Sequence, residues 1–391
     1  MDHKIFSELY GIDTELGCLQ RCADSLQPPF DEWLEVAQRL PELLLRGTAC
    51  DEIARLAITK KALEKPMPPA QARLLFRTAT FLGAAWVWGA TPPTASIKSP
   101  LSAVLVYLAR RLGMKSILSY APFLLWNWEL IDPDGKLEPD NIELQQYFLR
   151  TEDARWFNAI HVAIEASAAR IPSLLAELHH ARIADDAVRM ITLLRECAGI
   201  LEKMNAHLRR MPEHCNPGAY FSMVRPYIQG FRLHPVIYSG FWDDVPQDFW
   251  GESGSQSLIV PALDCAFGIP HRTDGAFAEY LRDMPNYMPS HHRQYLKDLA
   301  ILTQQGDESL LLYALGCQRT YPALCEELHR SLMLMVEFSE IHFGYPQRYI
   351  QDQTAHSSAY NRSDVGTGGT PYMQYLRQHI EDRRRFAELL A

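Results

Sequence analysis

Apolar residues recur along this chain at intervals of three and four, the spacing that lines one face of an α-helix, while the strict alternation of a half-buried strand is scarce. Helices are predicted over residues 69–89, 101–112, 142–169, 185–208, 275–284 and 322–343. Between them stand clusters that stop a helix: Pro66-Met67-Pro68-Pro69, Pro92-Pro93, Asp132-Pro133-Asp134-Gly135, Met211-Pro212, and the stretch from Trp250 to Ser257. No internal repeat is visible. The pattern predicts an all-α protein.

The stripe in residues 322–343 is the most informative. Leu324, Leu328, Leu332 and Met335 hold one face, and the same face continues to Ser339 and then His342. An imidazole there points inward, and the residue one turn before it is small. Periodicity alone leaves two readings open: a core histidine bonded to a carbonyl, or the neutral axial ligand of a flat macrocycle lying in the gap beside Ser339. Further on, Gly366-Thr367-Gly368-Gly369-Thr370 interrupts a polar stretch. No predicted strand precedes it and no βαβ unit surrounds it, which argues against a nucleotide-binding loop. Glycines that permit unusual backbone angles suit a lid instead.

Composition narrows the function classes. The 391 residues suffice for two domains, and 47% hydrophobic content can fill a large core. A net charge of −9 speaks against a surface that displaces counterions from phosphates, so no nucleic-acid partner is expected. Met1-Asp2-His3-Lys4 does not begin a basic-then-apolar leader, and no run approaches the ~18 apolar residues of a membrane span. A soluble, cytoplasmic chain without a membrane partner is expected. The eight cysteines, at 18, 22, 50, 197, 215, 265, 317 and 325, form no dense framework and are expected to be reduced and mostly buried. Cys18 and Cys22 are spaced to share a helical face, but without a second pair or flanking histidines they do not make a zinc site. HExxH, CxxC and Cys-x-x-Cys-His are all missing, so a haem would be held by ligation and packing alone.

A series of motifs then carries a resemblance. In order they are Ala85-Trp86-Val87-Trp88-Gly89, the tract from Ile117 to Trp128, and Trp156-Phe157 followed by His161 and Ile164-Glu165-Ala166. Asn216-Pro217, Phe221-Ser222-Met223-Val224-Arg225, Gly240-Phe241-Trp242, Ser253 to Ser257, and Asp264 come next. Tyr287-Met288-Pro289 before His292-Arg293, then His342 and the glycine loop, close the series. Over roughly residues 80 to 375 the chain resembles the indoleamine 2,3-dioxygenase family of haem enzymes, and the first seventy or so residues match only loosely. The resemblance implies a small N-terminal helical domain, residues 1–147, and a larger helical haem-binding domain, residues 148–391. It implies haem b as cofactor and two small-molecule partners, dioxygen and an indole. The reaction implied is insertion of both oxygen atoms across the indole C2–C3 bond of L-tryptophan or a related indoleamine, giving N-formylkynurenine. Monomer and small homo-oligomer both remain open.

Residue by residue, the resemblance makes His342 the iron ligand. Arg225, which alone would read as a solvated charge, matches the family's carboxylate-binding arginine. Tyr120, Phe123, Leu124 and Phe157 match the indole-binding wall, with Tyr220 and Phe221 beside it. Ser253 and Gly254 belong to a small-residue connection running close over the haem face, and Thr367 and Gly368 to a lid folding over substrate. His161, the candidate catalytic residue, stands where human-type enzymes carry serine and where the related tryptophan 2,3-dioxygenases place a distal histidine. A neutral imidazole there can accept a hydrogen bond from the indole N–H and disfavour an N-methylated substrate. Ser339 stands where the human type has an arginine able to pair with the acid matching Asp264, so Asp264 needs another partner. Glu252 and Ser255, where the family often has glycines, leave room for a non-catalytic haem sensor. A related haem enzyme that rearranges a halogenated tryptophan is the other alternative.

Overall fold

A computed structural model describes residues 3–270, 275–306, 308–366 and 372–390. The apolar periodicities become helices close to their predicted limits. Helix α1 (Pro69–Trp88) opens on a proline, whose missing N–H costs nothing in a first turn. Helix α2 (Leu101–Leu112) stops at Gly113, which takes the left-handed conformation at φ 68° without strain. Next come α3 (Glu152–Ser167), α4 (Ile171–Ile183), α5 (Ala187–Arg209), α6 (Ile259–Phe267), α7 (Ser290–Thr303), α8 (Pro322–Pro346) and α9 (Tyr372–Glu388). The segment predicted at 275–284 is helical over Gly275–Asp283.

Residues 142–151 depart from the prediction. Among the described residues there are four strands of two residues each, β1 (Ser96–Ile97), β2 (Glu129–Leu130), β3 (Ile142–Glu143) and β4 (Ile237–Tyr238). β1 pairs with β4 in parallel, Ser96 opposite Ile237, and β2 with β3 antiparallel, Glu129 opposite Glu143. The expected helix therefore starts ten residues late, at Glu152, where the Thr151 hydroxyl accepts from the Ala154 N–H at 3.2 Å. A cap of this kind satisfies an orphan amide and sets the helix start independently of apolar spacing. Cys18 and Cys22 also lie in irregular chain, not on a helix.

Helix α8 packs lengthwise against α5 and α9, α5 against α3 and α4, and α6 against α4 and α7. Trp33, Trp126, Trp156, Phe267 and Tyr287 are among the largest side chains wholly inside. One continuous apolar cluster reaches from Phe6 to Leu390, with members on both sides of residue 147. All eight cysteines are free thiols, and burial holds Cys197 protonated, its pKa pushed up to about 12. Among the described residues, the stretch Glu152–Ile183 is long and apolar enough for a membrane span by composition, but most of it is buried inside the protein. It is the α3–α4 pair of the core.

Gly230 lets two loops touch. A Cβ there would meet the Gly251 nitrogen and the Phe249 carbonyl closer than real side chains approach, and the crossing brings the stretch from Trp250 to Ser257 into the interior. Gly230→Ala is expected to destabilise the fold by about 1–3 kcal/mol, the usual cost of overpacking. The check is the denaturant midpoint; an unchanged value would mean that the two loops part freely.

Candidate active site

Helix α8 buries Leu324, Leu328, Leu332 and Met335 completely, yet Phe338, Ile341, Phe343 and Tyr345 further along remain half-buried. The apolar sequence continues while its packing opens, which is how a helix runs past an internal gap. His342 lies in this part. Burial first, then the charges of His161 and Arg383, push its pKa down to about 4, so the ring is neutral at pH 7. No described residue hydrogen-bonds either of its nitrogens. A ring so surrounded by protein that still has accessible surface lines a cleft.

Across the gap, His161 sits on α3 with Nδ1 at 2.8 Å from the Phe157 carbonyl. A carbonyl only accepts, so Nδ1 carries the proton and Nε2 presents a lone pair. Burial lowers this pKa too, which keeps the ring neutral. Around it the aromatic rings form a connected wall. Phe157 is 4.5 Å from His161 and 4.9 Å from Tyr220, while Tyr120 and Phe123 stand 6.4 Å from His161 and Phe157 respectively. Much of this wall comes from single turns of π-helix, Ala121–Leu125 and Tyr220–Val224, and a third, Gln347–Gln351, places Tyr349 5.7 Å from Tyr220. A π-turn admits one extra residue and re-aims the side chains that follow, a device frequent at functional sites. Leu124 and Phe221 have no accessible surface and stand behind the wall.

Polar groups hold the wall in register. Glu165, one turn beyond His161, accepts from the Tyr120 hydroxyl at 3.0 Å and the Ser257 hydroxyl at 2.6 Å. Burial raises its pKa, and its second oxygen has no hydrogen-bond partner among the described residues. The Gln256 side-chain oxygen accepts from the Tyr120 N–H at 2.9 Å, and Ser253 accepts from the Tyr280 hydroxyl at 2.6 Å. Gly254 is exposed, and a Cβ on it would meet nothing within 4 Å. Glu252 is only 5% exposed, and burial pushes its pKa up to about 8, so its carboxyl is mostly protonated at neutral pH.

Arg225 is 2% exposed, contrary to the solvated charge that its position in the sequence suggests when read alone. Its guanidinium lies 5.1 Å from the Phe221 ring centre and donates to the Asn361 side-chain oxygen and the Val365 carbonyl. Asn361 donates in turn to the Phe221 carbonyl at 2.8 Å. The segment before the glycine loop is thus laid on Arg225. Thr367 and Gly368 lie outside the described residues.

The partner Asp264 needs comes from the last helix. Arg383 on α9 donates through Nε and Nη2 to the two Asp264 oxygens, at 2.9 and 2.6 Å, and through Nη1 to the Ser339 hydroxyl at 2.6 Å. Arg383, Asn361 and Glu165 were not among the expected site residues. The signal for Glu165 was its place four residues after His161; Arg383 stands in a run of three arginines and Asn361 in a polar loop, where spacing picks out neither.

This donor set suits a haem. Among the described residues no group of three metal-ligating side chains exists to hold a bare cation. One neutral imidazole whose nitrogens no described residue hydrogen-bonds suits an iron already carrying four macrocycle nitrogens.

A sequence model described as indoleamine 2,3-dioxygenase matches residues 6–385. The chain belongs to the indoleamine 2,3-dioxygenase family. It is similar to indoleamine 2,3-dioxygenase 1 of Rattus norvegicus, 27% identical over 98% of this chain and 95% of that one. Indoleamine 2,3-dioxygenase acdA of Aspergillus candidus is 26% identical over 90% of this chain and 89% of its own length. The Saccharomyces cerevisiae enzyme is 23% identical over 89% and 85% respectively. Membership in the indoleamine 2,3-dioxygenase family makes the protein a dioxygenase, an oxidoreductase, and the match takes in the N-terminal residues whose resemblance was loose.

Glu252 sets a pH dependence. In the unfolded chain it ionises near 4.5, in the fold only near 8, so its contribution to stability is full below about pH 4.5 and is lost as pH rises to about 8. Glu252→Gln is expected to be more stable than the parent at pH 8 and to lose that advantage near pH 4 in denaturant titrations. An advantage independent of pH would contradict the assignment.

Proposed function

We propose that this protein binds haem b through His342 and adds both atoms of dioxygen across the indole C2–C3 bond of L-tryptophan, giving N-formylkynurenine. The observation that carries the reading is the pair of buried imidazoles, His342 on α8 and His161 on α3, the latter with Nδ1 bonded to the Phe157 carbonyl, close enough that a charge on His161 would lower the pKa of His342. One suits iron and the other suits substrate.

When bound, haem supplies the binding and activation of dioxygen, which the side chains of this site do not provide. The chain supplies recognition and order. Arg225 takes the substrate carboxylate on its two-pronged fork, in place of the oxygens of Asn361 and Val365. Arrival of substrate is thereby tied to a shift of the segment that leads to Thr367 and Gly368. Phe123, Phe157, Tyr120 and Tyr220 flank the flat indole, and its N–H donates to His161 Nε2, which holds the ring in one register. Ser253 and Gly254 would line the cofactor's face, where Gly254 brings no side chain to obstruct it. Both oxygen atoms enter the product, so no external reductant is consumed in turnover.

The direct test is to load the protein with haem, reduce it, and supply doubly labelled dioxygen with L-tryptophan. N-formylkynurenine carrying both labelled atoms is expected. Saturable tryptophan binding without that product would overturn the proposal in favour of the rearranging chemistry or of a haem sensor without turnover. A second measurement concerns selection: His161→Ala is expected to lower the preference for L-tryptophan over its 1-methyl analogue about tenfold, the worth of one hydrogen bond, because the analogue has no proton to donate. Unchanged discrimination would remove His161 from this role.

A further inference from the structure

We propose that Arg383 is the positioning residue of the iron ligand's side of the site, fixing both the charge beside His342 and the seat of the helical turn that bears it. The inference rests on the reading of His342 as axial ligand.

Three of its nitrogens are engaged. Two grip Asp264 on α6, with side chains 7% and 10% exposed, and the third donates to Ser339 on α8. The Ser339 hydroxyl in turn donates a hydrogen bond to the Met335 carbonyl at 2.8 Å, so Arg383 is linked to the α8 backbone through a single hydroxyl. Ser339 precedes His342 by three residues, on the same helical face. One guanidinium thus joins the last helix to the two helices that bound the ligand's side of the gap.

Holding α9 in place does not require this pair. The helix already buries Ile380, Phe386 and Ala387 in the core. A buried ion pair is weak as a source of stability, because dehydrating both charges consumes most of what their attraction returns. Its effect on its surroundings is larger. With Arg383 present, the Asp264 carboxylate is balanced by a cation within the same cluster. Without it, the buried Asp264 carboxylate loses this cation, its charge beside the iron side of the site is less balanced and favours the ferric over the ferrous ion, and the α8 turn loses its tether.

The test uses the haem-loaded full-length protein and two readouts other than turnover, the ferric–ferrous midpoint potential and the rate of haem loss. Arg383→Ala is expected to lower the potential and speed haem loss. The decisive variant is Arg383→Ala/Ser339→Arg, which returns a guanidinium to the space beside Asp264 from α8 itself. It is expected to restore both quantities toward the parent values, although it cannot tie down α9. If Arg383 served only to hold α9, the double variant would remain as impaired as the single one, and that result overturns the proposal. Should Arg383→Ala not fold, Arg383→Gln keeps a hydrogen bond and drops the charge; its potential is expected to fall as well, and an unmoved potential overturns the proposal equally. Failure of the underlying reading looks different: the parent protein would take up no haem, or His342→Gly would keep it unaltered.

Discussion

Burial withholds water from His161 and His342, and an imidazole denied water holds its proton less well, so both rings stay uncharged at neutral pH. The site depends on that constraint. A protonated ring at 342 would have no lone pair for a metal, and one at 161 would have none for an indole N–H. The desolvation comes with the packing of α3 and α8 into the bundle and of the aromatic wall around His161, so the neutral rings follow from the same burial that stabilises the fold.

The rest of the site is fitted around these rings by departures from regular structure. The π-turns at Ala121–Leu125 and Tyr220–Val224 re-aim the aromatic wall, and the crossing at Gly230 admits the stretch from Trp250 to Ser257 beside it. Charge is handled in two ways. Glu165 and Glu252 are pushed toward their neutral forms by dehydration, whereas Asp264 is met by a guanidinium. Arg225 is held by oxygens of the segment leading to the glycine loop, and under the proposed function the substrate's carboxylate and that segment would compete for one fork.

The helices were legible because their signal is local. The limits of α1, α2, α5 and α8 follow from apolar spacing within each segment, and the same stripe pointed to His342. Residues 142–151 were misread as helix because what decides them lies elsewhere: β3 pairs with β2, and the Thr151 cap sets the start of α3. The π-turns escaped because one extra residue in a turn hardly disturbs a periodicity averaged over a helix. Arg383 escaped for a different reason: its partner Asp264 is 119 positions away, and nothing along the sequence separates it from Arg384, which pairs with Glu340. The motif order, by contrast, identified the family before any geometry was known, and the match over residues 6–385 agrees with it.

The central claim is that His342 is the only protein group on the iron. In the ferrous protein, resonance Raman spectroscopy should give an iron–histidine stretching band that vanishes in His342→Gly and returns, at a shifted frequency, when free imidazole is added. A band that persists unchanged in His342→Gly would assign the ligand to another residue and contradict the account.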